Sequence, residues 1–199
     1  MDPHKHGLQP YGCGCVLFRD PEVGRYYKHD SPYTYFTSSD LHLGEISLEC
    51  SRAGASAVAL WATLRLLPLV KNGEFAQGLS RSRAAALDLF QRIQADARFR
   101  TVVRPELDIV VWTAAGSSAR EISERSASLF RAAAAEDLHL ATLRYPSYLL
   151  REVWEDVDFD QDSVLCLRSC LMKPEHNEWV DRIWRVLDKV ANLRGRRHG

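Results

Sequence analysis

Residues 98–199 read as strand, helix, strand, strand, helix, and that alternation leaves the chain few folds to choose from. Leu107-Asp-Ile-Val-Val-Trp112 is a β-branched run of strand length. Ser117 or Ser118 offers an N-cap for a helix expected to reach about Glu136. Leu138 to Arg144 alternates apolar and polar residues, as a half-buried strand should. Ser163 to Met172 supplies a third strand. Pro174-Glu-His-Asn then leads into a helix over Glu178–Leu193, which puts Trp179, Ile183, Leu187 and Val190 on one face. Elements in this order pack as a small antiparallel α+β layer.

Residues 1–97 carry a different pattern. The apolar run Cys15-Val-Leu-Phe18, extended to Arg19, predicts a short buried strand. A loop rich in Tyr, Ser, Asp and His spans Asp20–Glu45. A helix is expected from about Ser51 to Leu67, ended by Pro68, and Val70–Gly73 reads as a turn. Leu79, Ala86, Leu87, Phe90 and Ile93 recur at helical spacing, which predicts a second helix over Gln77–Asp96. The chain shows no internal repeat.

Composition narrows the partners. The chain has 199 residues, 26 basic and 26 acidic, so its net charge of +0 argues against a general nucleic-acid surface. The basic tail from Leu193 to Gly199 reads as a frayed terminus. Ala53–Val70, the most apolar segment, is interrupted by Ser56, Thr63, Arg65 and Pro68, so no membrane-spanning stretch is expected. The chain opens directly into a motif, so no signal peptide is expected. Five cysteines without a regular frame suggest reduced thiols and a cytoplasmic protein.

That opening motif carries the chemistry. Met-Asp-Pro-His-Lys-His-Gly places Lys5 behind a proline that restricts the backbone and beside His4, a planar polar ring. A lone lysine reads as a solvated N-terminal side chain; one in a restricted segment reads as an amine held for covalent chemistry. Arg52 stands at an expected helix start, where N–H groups and a guanidinium suit an anion; a surface ion pair is the alternative. Arg168 lies within an apolar strand and must find a partner. His4, His6, Cys13 and Cys15 form H-x-H and C-x-C pairs, but C-x-C is tighter than the usual zinc knuckle and the remaining histidines form no ligand set, so no metal is expected.

Asp-Pro-His-Lys, followed by Pro-Tyr-Gly-x-Gly and Leu-Phe-Arg-Asp, resembles the lysine segment of the pyridoxal-phosphate (PLP) dependent group II amino-acid decarboxylases. Leu48-Glu-Cys-Ser-Arg-Ala-Gly-Ala55 and Leu165-Cys-Leu-Arg-Ser-Cys-Leu-Met172, with Pro174-Glu-His176 after it, resemble two further segments in the same order. The resemblance implies an α/β fold. Residues 1–97 would be the end of a fold type I, transferase-like large domain, and residues 98–199 the small C-terminal α+β domain. Lys5 would be the Schiff-base lysine, with Asp2, His4 and Arg52 near the cofactor. Arg168 would hold the substrate's α-carboxylate; a cross-sheet ion pair is its other reading. Tyr33, in Ser-Pro-Tyr-Thr-Tyr, would be the loop acid, with Tyr35 as rival and an exposed loop aromatic as the plain alternative. The enzyme would be a cytoplasmic homodimer acting on an L-amino acid, with no nucleic-acid or membrane partner. Members of that family are much longer than this, so a truncated chain is expected. It would be either a PLP-dependent decarboxylase or an inactive fragment that needs a separately encoded N-terminal half; a small metal-binding domain is a third reading.

Overall fold

The computed structural model describes residues 2–29 and 54–195, the side chains to 192. The chain divides into two compact units, residues 1–69 and 70–199.

In the first unit, residues 3–7 form a turn. The run expected as a strand, Cys15–Arg19, is not one: Val16 and Leu17 are 75% and 76% exposed. Strand geometry needs a ladder partner, and no described residue pairs with this run. The following segment, expected as loop, contains a 3-10 helix over Pro21–Tyr27; the Asp20 carboxylate caps it by accepting from the Glu22 N–H at 2.9 Å. Helix α1 spans Ala55–Leu66 and stops at the residue before Pro68, whose ring disfavours helical geometry in Leu67. None of its residues is fully buried.

In the second unit, helix α2 (Glu74–Gln94) starts after Gly73, three residues earlier than its apolar spacing suggests. Strand β1 (Phe99–Val103) follows, then β2 (Ile109–Ala114), helix α3 (Ala119–Ala135), β3 (Ala141–Pro146), the short helix α4 (Ser147–Leu150), β4 (Ser163–Cys170) and α5 (His176–Gly195). The sheet is antiparallel throughout, in the order β1-β2-β4-β3. Strand β1 escapes the sequence pattern because arginines 98, 100 and 104 dilute its apolar residues. In the fold Arg100 is not a solvated charge: its guanidinium forms a two-pronged pair with Asp156 and lies over the Trp154 ring.

Strand β3 begins three residues later than the alternation suggests, because the end of α3 takes those residues for its cap. Asp137 sits at φ 58°, its N–H donates to Ala134 O, and the Leu138 N–H donates to Ala133 O at 2.9 Å. That is a Schellman motif with an aspartate in the usual glycine position.

One core joins α2, α5 and part of α3 to the sheet through Leu89, Ile93, Trp112, Leu167 and Leu187. A second gathers Ile122, Leu150, Trp154, Val164 and Cys166. Between the strands α3 acts as a wedge. The β2–β4 ladder runs from Ile109↔Cys170 to Trp112↔Leu167 and goes no further. Beyond it the Ala114 N–H donates to Ser126 Oγ at 3.1 Å and the Leu165 N–H to Ser123 Oγ at 3.0 Å. Two serines of α3 therefore satisfy backbone donors that the diverging strands would otherwise leave unpaired.

Candidate active site

The lysine turn is built by three local constraints. Pro3 fixes its own φ, and the Lys5 N–H donates to Asp2 O at 3.0 Å. The Gln9 N–H returns to Pro3 O at 3.1 Å. At position 7 only glycine fits: a Cβ there would lie 2.7 Å from both Cα and O of Pro3, backbone atoms that cannot step aside. Leu8 then takes a left-handed conformation, φ 57°, which turns the chain back under the lysine.

Asp2, His4 and Lys5 therefore share one turn, as the sequence suggests. The Lys5 Nζ stands at the surface, its side chain 57% exposed, and pairs with Asp2 Oδ2 at 3.0 Å. The ammonium holds the Asp2 carboxyl below the usual carboxylate range, first by its hydrogen bond and then by its charge. His4 points elsewhere: its Nδ1 lies 3.4 Å from Cys13 O and its ring packs at 5.4 Å from Tyr11. The Cys13 Sγ contacts Ser56 O of α1 at 3.8 Å. Among the described residues no group of His, Cys, Asp and Glu is arranged to hold a metal.

Arg168 lies in the second unit, between Val111 of β2 and Ala141 of β3. Its Nε is buried, and among the described residues it has no hydrogen-bond partner. A buried guanidinium N–H without an acceptor is costly, so the position favours an incoming oxyanion. On the same strand, burial pushes the Cys166 thiol up to about 12. Tyr33, Tyr35 and Arg52 lie outside the described residues.

Gln9 belongs to this site although the sequence does not single it out. Its side chain is buried, and its Nε2 donates to Gly7 O at 3.0 Å and to Thr63 Oγ1 of α1 at 2.7 Å. A lone glutamine fits no motif, and its partner on α1 stands 54 residues away. Among the described residues no helix is long and apolar enough to cross a membrane.

The residues present can be tested against a cofactor with an aldehyde and a phosphate. In the first unit an exposed amine on a constrained turn suits the aldehyde, and in the second unit the buried Nε of Arg168, without a partner among the described residues, suits a carboxylate oxygen.

No family model matches the chain. It is 27% identical over 128 residues to a probable L-tyrosine/L-aspartate decarboxylase of Methanothermobacter thermautotrophicus, covering 63% of the chain and 32% of the relative. It is 29% identical over 123 residues to an L-tyrosine decarboxylase of Enterococcus faecium, covering 56% of the chain and 20% of the relative. The chain thus spans about a third or less of the length of these curated relatives. Among solved structures it resembles a sphingosine-1-phosphate lyase of Burkholderia pseudomallei at TM-score 0.65 and 18% identity, covering 99% of this chain and 39% of that one. It also resembles the Oryza sativa TDC solved with PLP and tryptamine, at TM-score 0.62 and 15% identity, covering 86% of this chain and 33% of that one. These neighbours are PLP-dependent fold type I enzymes, and the chain shares their fold over the region it spans.

Proposed function

We propose that this chain is the lysine-bearing, C-terminal part of a PLP-dependent L-amino-acid decarboxylase, with Lys5 as the amine that holds the cofactor. The observation that carries this reading is the Lys5 amine, presented at the surface of a turn that only Gly7 permits. The similarity to tyrosine and aspartate decarboxylases supports the reaction class.

In this reading Lys5 Nζ would be the amine that holds the cofactor by its aldehyde group, and Asp2 orients the Lys5 side chain. His4 borders the cofactor, and Arg52 binds its phosphate. Bound there, PLP would take up the electron pair released when the substrate carboxylate leaves as CO2. Arg168 accounts for orientation: its Nε and one terminal N–H can grip both oxygens of the α-carboxylate, as a planar fork allows and a lysine would not. Tyr33 then returns a proton from its hydroxyl to the α-carbon, Tyr35 being the alternative donor, in a site closed to water. The whole protein would act as a homodimer.

A second reading is favoured by the exposure of Val16, Leu17 and Phe18. An apolar run that has no ladder partner among the described residues fits a module that becomes catalytic only when a separately encoded N-terminal half covers it.

One experiment tests both. The purified chain is titrated with PLP, trapped with borohydride and peptide-mapped. Label concentrated on Lys5, and lost in Lys5→Ala, supports the first reading, and CO2 release from tyrosine or aspartate would then identify the substrate. Label spread over exposed lysines such as Lys28 and Lys71 sinks the first reading for the isolated chain and leaves the second.

A further inference from the structure

We infer that Gln9 is the positioning residue for Lys5, a staple that fixes the lysine turn to helix α1. The inference rests on the reading of Lys5 as the cofactor amine.

Gln9 grips the turn at both ends. Its backbone N–H donates to Pro3 O at 3.1 Å, ahead of Lys5, and its side-chain Nε2 donates to Gly7 O at 3.0 Å, behind it. The second proton of the same amide reaches Thr63 Oγ1 at 2.7 Å, one turn before the end of α1. Lys5 is thereby bracketed by two bonds from one residue, and that residue is anchored to a helix.

A purely space-filling role does not explain the choice of side chain. Gln9 is 7% exposed, and among the described residues its Oε1 has no partner. Burying an amide with an orphaned acceptor costs stability that Met or Leu of similar bulk would not. The two donor bonds are what an apolar residue cannot supply. The left-handed backbone at Leu8 is the second cost accepted here, because it is what brings Gln9 back beneath the turn. Without the side-chain staple, the turn keeps the backbone bond from Gln9 to Pro3 and the Lys5-to-Asp2 bonds but loses its tie from Gly7 to α1, and the exposed Lys5 side chain would sample more positions.

The test uses the full chain with Gln9→Met, which keeps the bulk and removes both side-chain donor bonds. Thr63→Val, which removes only the anchor, stands in if that variant fails to fold. The first readout needs no cofactor: amide hydrogen exchange at Lys5 and Gln9 should speed up about tenfold, while the Leu67 amide, which caps the end of α1 by donating to Thr63 O, stays unchanged. The second is the share of borohydride-trapped PLP mapped to Lys5, which should fall about tenfold relative to Lys28 and Lys71. Unchanged exchange overturns the inference. So does faster exchange with an undiminished Lys5 share, because Gln9 would then be a structural residue only. If the unaltered chain places no label on Lys5, the cofactor reading fails instead, and the exchange measurement still decides whether Gln9 holds the turn.

Discussion

Gly7 and Cys166 show how single positions set reactivity. A methyl group at residue 7 would overlap the Pro3 backbone, so Gly7→Ala must open the turn. Trapping of PLP on Lys5 in that variant should drop by about a hundredfold, the scale of a 1 Å misplacement, with the melting of the second unit unaltered. Cys166 is governed by burial instead. Its thiol is raised from an ordinary 9.0 to about 12, so the folded chain keeps the proton that the unfolded chain gives up. The unfolded state therefore binds fewer protons across that window, and stability is full below about pH 9 and falls as pH rises toward 12. Denaturant midpoints measured at pH 8 and 10.5 should show the loss, and Cys166→Ala should abolish most of it. Iodoacetamide at pH 8 should label the exposed Cys170 and spare Cys166 in the folded protein. The lysine motif was legible in the sequence because its signals are contiguous: a proline, a glycine and an amine within five residues. Gln9 was not, since what makes it matter is a helix 54 residues away.

Among the elements, α3 is the one that decides how the sheet ends. Its start was legible, because Ser118 is a local cap: the hydroxyl accepts from the Glu121 N–H at 3.2 Å. Glu121 reinforces it by accepting from the Ser117 N–H at 2.7 Å, and that bond is the leading cause of its lowered carboxyl pKa. The wedge was not legible, since Ser123 and Ser126 act on strands 42 and 12 residues away. Removing the two kinds of serine should have different costs. Ser118→Ala loses a partly exposed cap, about 1 kcal/mol. Ser126→Ala strands the Ala114 N–H in the interior and should cost more, about 2 kcal/mol, in urea denaturation. Equal costs would mean that water reaches the split between β2 and β4. The strand expected over Cys15–Arg19 failed for the converse reason: apolar content was read as pairing, yet pairing needs a second chain segment that no described residue supplies.

For the molecule as a whole, the acid limb of stability should come from the Arg98 cluster. Arg98 bonds Asp96, Asp188 and the Asn192 carbonyl, joining the end of α2 to α5. Its hydrogen bond is the leading cause of the lowered Asp96 carboxyl, with burial opposing it. A carboxyl depressed on folding contributes stability that is complete at neutral pH and lost as pH falls below about 4. Asp96→Asn should lower the midpoint at pH 7 and flatten its decline between pH 5 and 3; an unchanged acid slope would place the titration elsewhere. The strand order has a consequence for time rather than for equilibrium. The sheet's central pair, β2 with β4, joins distant segments, with Trp112 bonded to Ser169 57 residues on, while the outer pairs close shorter loops. Closing that long loop is the step most exposed to chain entropy, so refolding speed should be set at the centre of the sheet. Leu167→Ala, on the central strand, should slow refolding, whereas Leu143→Ala, on the edge strand, should chiefly hasten unfolding. The same arrangement makes β4 the strand for which β2 and β3 must both wait: during synthesis, the β1–β2 pair and β3 stay separate pieces until β4 has been made.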